Sequence, residues 1–110
     1  MKHLGGEYKM SKVYIINSMN HNFAAATQYG ELEYVTSGNL PIFKTDIVVN
    51  KLDEGLKDFT SEDYLLLSGP AIINIYATHI LARRLDSFKM LIFDAKEQSY
   101  KVRHFNTNIF

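Results

Sequence analysis

The chain contains no cysteine. That excludes disulfides, thiolate catalysis and Cys-ligated zinc, and it favours an intracellular protein. Neither sign of charge is in excess, because twelve basic and twelve acidic residues cancel. Duplex-DNA binders carry a basic surplus, so no duplex nucleic acid is expected as partner. No apolar run approaches the roughly 18 to 20 residues of a membrane helix, so no membrane partner is expected either. The first ten residues lack the apolar segment of a signal peptide. The histidines His3, His21, His79 and His104 are scattered, with no pair at ligand spacing, so neither a metal nor a cofactor is expected. No nucleophile elbow, Ser-His-Asp pattern or carboxylate pair stands out.

What is present is a globular balance: 110 residues, 46% apolar and 22% charged. A chain of this length buries roughly two thirds of its unfolded surface and holds a core without staples. It reads as a single domain over 1–110, with 1–11 as a flexible N-terminal extension and 106–110 as a flexible tail. Met10, next to the first strand signal, reads as an alternative start.

Lys12-Val13-Tyr14-Ile15-Ile16 is a β-branched apolar run, which predicts a central strand buried on both faces. Phe23 to Tyr29 predicts a short helix, with Asn20 or Asn22 as cap and Gly30 past its end. Glu31 to Thr36 alternates as an edge strand does. Val48, Val49, Leu52 and Leu56 recur at helical spacing. Tyr64 to Leu67 is a second buried strand, which runs through Ser68-Gly69-Pro70 into a helix ending near Leu85. Ile72, Ile73, Tyr76 and Ile80 form the apolar stripe of that helix. Lys89 to Phe93 is a third buried strand, and Tyr100 to Phe105 alternates as an antiparallel edge strand. Alternating strands and helices predict a small Rossmann-like α/β domain. Its sheet is mostly parallel, of about five strands, with helices on both faces and an antiparallel C-terminal edge strand.

Ligands of such sheets collect at the carboxyl ends of the strands, near a topological switch point. That selects two loops. In Ser68-Gly69-Pro70, with Asn74 about one turn further on, a helix N-terminus offers N–H groups to a phosphate and Gly69 admits a close approach. Ordinary strand-to-helix turn chemistry produces the same residues, and the Gly-Lys-Ser/Thr ending of a P-loop is missing. In Asn17-Ser18-Met19-Asn20-His21-Asn22, the amides suit base edges or ribose hydroxyls, and His21 suits a hydrogen-bond donor or a general acid. A solvated cap segment has the same composition. Arg83 and Arg84 close the long helix, where they complement its dipole; Arg84 is also a candidate phosphate clamp.

Several of these stretches resemble small bacteriophage proteins of similar length: Val13-Tyr14-Ile15-Ile16-Asn17, His21-Asn22-Phe23, Tyr29-Gly30-Glu31-Leu32, and Asp63-Tyr64 through Ser68-Gly69. The likeness covers nearly all of 12–105. More distantly, the layout resembles the viral anti-CRISPR ring nucleases, dimeric α/β proteins that bind and cleave cyclic tetra-adenylate. They share the opening strand matched by Lys12 to Asn17 and a Gly-containing turn before a helix. Their turn reads Gly-His, with His as catalytic acid, and here it reads Gly69-Pro70.

The resemblance implies a phage anti-defence protein in the cytoplasm of the infected bacterial host. It would bind a cyclic or nucleotide-derived immune signal and sequester it, as a homo-oligomer, dimer or higher. The expected ligand-binding residues are Asn17, Ser18, Asn20, His21, Ser68, Gly69, Pro70, Asn74 and Arg84. An enzyme degrading the same signal, with His21 as acid, is the second expectation. A protein-interaction module with no small-molecule ligand is the third.

Overall fold

The computed structural model describes residues 10–19 and 21–107. Five strands form one sheet in the order β2-β1-β3-β4-β5, with β1 at Lys12–Asn17, β2 at Glu31–Thr36, β3 at Tyr64–Leu66, β4 at Ser87–Asp94 and β5 at Ser99–Asn106. β1 pairs in parallel with β2 and β3, and β3 with β4. Only the β4–β5 hairpin is antiparallel. This is the order of an open doubly wound sheet, whose switch point falls between β1 and β3.

β1 is buried from Val13 to Asn17 because it lies between two strands and beneath both covering layers. Tyr14 and Ile16 turn to one face, under helices α1 (Thr45–Gly55) and α2 (Ala71–Arg84). There they join Val48, Leu52, Ile73, Ala77 and Leu81. Val13 and Ile15 turn to the other face and meet Phe23, Ala26, Leu66 and Leu91. That second layer is thin. Its helix, Ala24–Tyr29, is 3-10 rather than α, with Asn22 Oδ1 accepting from the Ala24 N–H.

Gly30 ends this helix at φ +153°, and a Cβ there would stand 2.3 Å from the Ser11 carbonyl oxygen. The bare backbone lets the Glu31 N–H reach that oxygen and start β2 in register.

Three expectations need correction. The buried stripe of α2 centres on Ile73, Ala77 and Leu81, while Ile72, Tyr76 and Ile80 are half-buried. A helix apolar all round does not announce which stripe faces inward. β4 is not buried throughout. Ile92 and Phe93 are 39% and 46% exposed, because the hairpin extends past the three-residue β3 that supports it. Asn106 belongs to β5 opposite Ser87, and the Thr107 N–H donates to Asp86 O, so order extends into the stretch expected to be a tail. Residues 1–9 and 108–110, where the rest of the extension and tail were placed, lie outside the described residues.

Buried polar groups hold the amino-terminal rim. Asp63 is fully buried; one oxygen accepts the Lys12 N–H and the other the Thr60 N–H and hydroxyl. Arg84 donates to the carbonyls of Leu56 and Phe59, just past the end of α1.

Nearby, the Tyr14 hydroxyl is pushed up to about 12, chiefly by burial and then by the negative charges of Asp63, Glu33 and Asp58, against the pull of Arg84. The folded state therefore keeps this proton after the unfolded chain loses it near the ordinary value of 10. Stability present below pH 10 is lost as pH rises toward 12, by about 1.4 kcal/mol for each unit. Tyr14→Phe should leave the neutral-pH melting temperature nearly unchanged and flatten most of this alkaline loss. Melting curves across that range are the check. A wild-type slope that survives the substitution would place the titration elsewhere.

Candidate site at the switch point

The two loops selected from sequence lie side by side at the carboxyl-terminal rim. The Ser68 hydroxyl accepts the Asn17 N–H at 3.0 Å and donates to the Asn17 carbonyl at 2.8 Å, bridging the ends of β1 and β3. Gly69 makes the contact close. Its φ is +81°, and a Cβ there would fall 2.6 Å from that of Asn17. A side chain at this point is excluded both by backbone conformation and by space.

Most of the nominated polar side chains are consumed in building this junction. Asn17 is fully buried: its amide donates to Thr36 Oγ1 and the Gly38 carbonyl, and its oxygen accepts the Met19 N–H. The Ser18 N–H donates to the Thr36 carbonyl. Asn74 folds back on the second loop; its oxygen accepts the Ser68 N–H and its amide donates to the carbonyls of Ser68 and Pro70. Loops leaving buried strands must satisfy their own backbone groups, and short amide side chains do this locally. Pro70 caps α2 at φ −58° without a side-chain cap bond. Arg84 stands at the opposite end of α2, about 20 Å away at 1.5 Å per residue, with its guanidinium on α1 carbonyls. Asn20 lies outside the described residues.

What remains open is a hollow of about 260 Å³ beside the junction, on the face covered by the 3-10 helix. One wall is His21 and Phe23, ring against ring at 6.1 Å and 70°. The other is Phe93 and Tyr100, cross-strand neighbours with centroids 5.2 Å apart. Leu66, Ser68 and Gly69 also line the hollow. His21 and Phe93 are exposed, whereas Phe23 and Tyr100 are nearly buried. Burial also raises the Tyr100 hydroxyl above its ordinary value, so it stays protonated at neutral pH.

Of the nominated residues, His21, Ser68 and Gly69 line this hollow. Phe23, Phe93 and Tyr100 were missed. Phe93 lies one residue before the end of β4, the fourth parallel strand of the same rim, a position the strand-end rule would have selected had it been applied there. Among the described residues, no group of His, Asp or Glu is placed to hold a metal ion. None of their helices is long and apolar enough to cross a membrane.

A family model described as Phage Pam3 gp32-like protein matches residues 11–107, the whole sheet and all its connections. The chain belongs to that phage protein family. No curated protein and no solved structure matches it.

Proposed function

We propose that this phage protein binds a nucleotide-derived signalling molecule of host immunity and holds it without cleaving it. The observation that carries the reading is the pair of aromatic walls around the hollow at the switch point. A nucleobase presents two π-faces, and stacking on aromatic side chains contributes about 1–3 kcal/mol per base. At about 260 Å³ the hollow lies near the lower end of small-molecule sites. It takes one base and leaves the sugar and phosphate at its mouth. Gly69 lines the hollow, and the first turn of α2 that follows, with no side-chain cap bond, would offer backbone N–H groups at the positive end of the helix dipole. His21 and Ser68 supply polar contacts to the base edge or ribose.

Sequestration agrees with the chemistry of the lining. The lining holds one histidine, His21, and no carboxylate, lysine or arginine side chain. The turn that bears the catalytic His in ring nucleases is Gly69-Pro70 here. The setting of this activity is the cytoplasm of the infected host.

A thermal-shift panel of cyclic dinucleotides, cyclic oligoadenylates and ADP-ribose isomers is the direct test, since a ligand of the native state raises the melting temperature. One class should raise it, and denaturing the complex should release that ligand intact. Phe93→Ala removes an exposed wall, so it should weaken binding at least about tenfold while leaving the ligand-free melting temperature unchanged. Linear fragments in the released material, abolished by His21→Ala, would replace sequestration by hydrolysis. Silence across the panel would favour a protein partner.

A further inference from the structure

The two free edges of the sheet carry opposite charge on the same face. β2 and β5 are the outer strands. β2 pairs Glu31 with Lys12 and Glu33 with Tyr14, so both carboxylates stand on the α1/α2 side with Tyr14. β5 pairs Lys101 with Ile92, Arg103 with Met90 and Phe105 with Phe88, which places both cations on that side as well. Glu31, Glu33 and Arg103 are exposed and Lys101 is half-exposed; Glu33 also stands 3.6 Å from Lys12 of its own copy, a surface pair that a second cation can share.

We propose that the β2 edge of one copy adds to the β5 edge of a second copy, antiparallel and head to tail. One register satisfies both charge pairs at once: Glu31 opposite Arg103 and Glu33 opposite Lys101. It sets Leu32 opposite Val102. The backbone agrees. The Glu31 N–H turns inward to the Ser11 carbonyl, so the N–H and C=O of Leu32, one residue on, turn outward. The Val102 carbonyl turns outward too, where the Arg103 guanidinium of the same strand covers it at 2.7 Å. Strand addition moves that guanidinium onto Glu31 and gives the carbonyl to the incoming strand. The Tyr29 hydroxyl caps the Tyr100 carbonyl, so the pairing is short and centred on Val102. On the other face, Tyr34 of the incoming copy, 52% exposed, comes beside Tyr100 where the hollow opens.

Like edges repel. Two β5 strands about a two-fold axis would set Lys101 and Arg103 against their own copies, and two β2 strands would do the same with Glu31 and Glu33. The contact is therefore heterologous, which generates a ring or an open chain rather than a closed pair.

Light scattering on the ligand-free full chain tests this independently of any small molecule. At low salt the wild-type mass should rise with concentration beyond a dimer, and it should fall toward the monomer as salt screens the charges. Glu31→Lys with Glu33→Lys should be monomeric, and so should Lys101→Glu with Arg103→Glu. Mixing these two variants should restore association, because each then offers the edge the other lacks. The register has its own test. With no native cysteine, Leu32→Cys with Val102→Cys in one chain should oxidise to a ladder of linked copies. Bonding within one chain is excluded, since the two strands lie four strand spacings apart, about 19 Å. A wild type that stays monomeric at every concentration, or an oligomer indifferent to both reversals, overturns the proposal.

Discussion

Asp63→Ala should lower the unfolding free energy by about 4 kcal/mol, because two part-buried backbone N–H groups lose their carboxylate acceptor, at roughly 1.5–3 kcal/mol each. For a domain of this size the melting temperature should drop by roughly 15 °C. The carboxylate accepts from Lys12 at the start of β1 and from Thr60 just before β3, residues 51 and 3 positions away in sequence. It therefore aligns the neighbouring strands β1 and β3 at their amino-terminal ends. Water cannot take over, since the side chain is fully buried. Asp63→Asn keeps one acceptor oxygen but sets an amide against either Lys12 or Thr60, so its loss should fall between wild type and the alanine variant. Urea unfolding of the three proteins gives the ranking. An alanine variant within 1 kcal/mol of wild type, the size of one ordinary hydrogen bond, would mean that the strands register without this carboxylate.

Asn17→Ala should cost about 3 kcal/mol, from three hydrogen bonds, one buried and two part-buried, at about 1 kcal/mol each. Its second effect is functional. Asn17 ties the end of β1 to Thr36 and Gly38 after β2, and its Cβ braces Gly69. Releasing it loosens the lining of the hollow. This variant should thus lose stability and ligand response together, whereas Phe93→Ala loses ligand response alone. Denaturant midpoints beside thermal-shift amplitudes separate the two. A stable Asn17→Ala protein with full ligand response would remove the junction from both roles.

These effects show where local reading is strong and where it stops. The order of elements along the chain and the mostly parallel sheet follow from the apolar runs at 12–16, 64–67 and 89–93 and the helical spacings between them. The switch-point loops were found from the same rule, and they do meet. The reading failed at the level of single side chains. Asn17 and Asn74 have the composition of ligand contacts, yet their amides close the chain's own loops. An amide that reads a guest and one that caps a carbonyl are chemically identical, so only placement distinguishes them. Phe93 had the opposite fate. In sequence it completes an apolar run, and in space it stands half-exposed because β4 extends past β3.

The sequence alone determined that this chain forms a mostly parallel α/β sheet with an antiparallel final strand, and that its polar turns follow the buried strands. Those features depend on near neighbours in the chain, where side-chain branching and periodicity act directly on the backbone. The tertiary structure decided which polar groups remain free, which aromatic rings line the hollow at the rim, and which sheet edges carry opposite charge. Each of these depends on residues brought together from distant strands, by a register that no local pattern encodes.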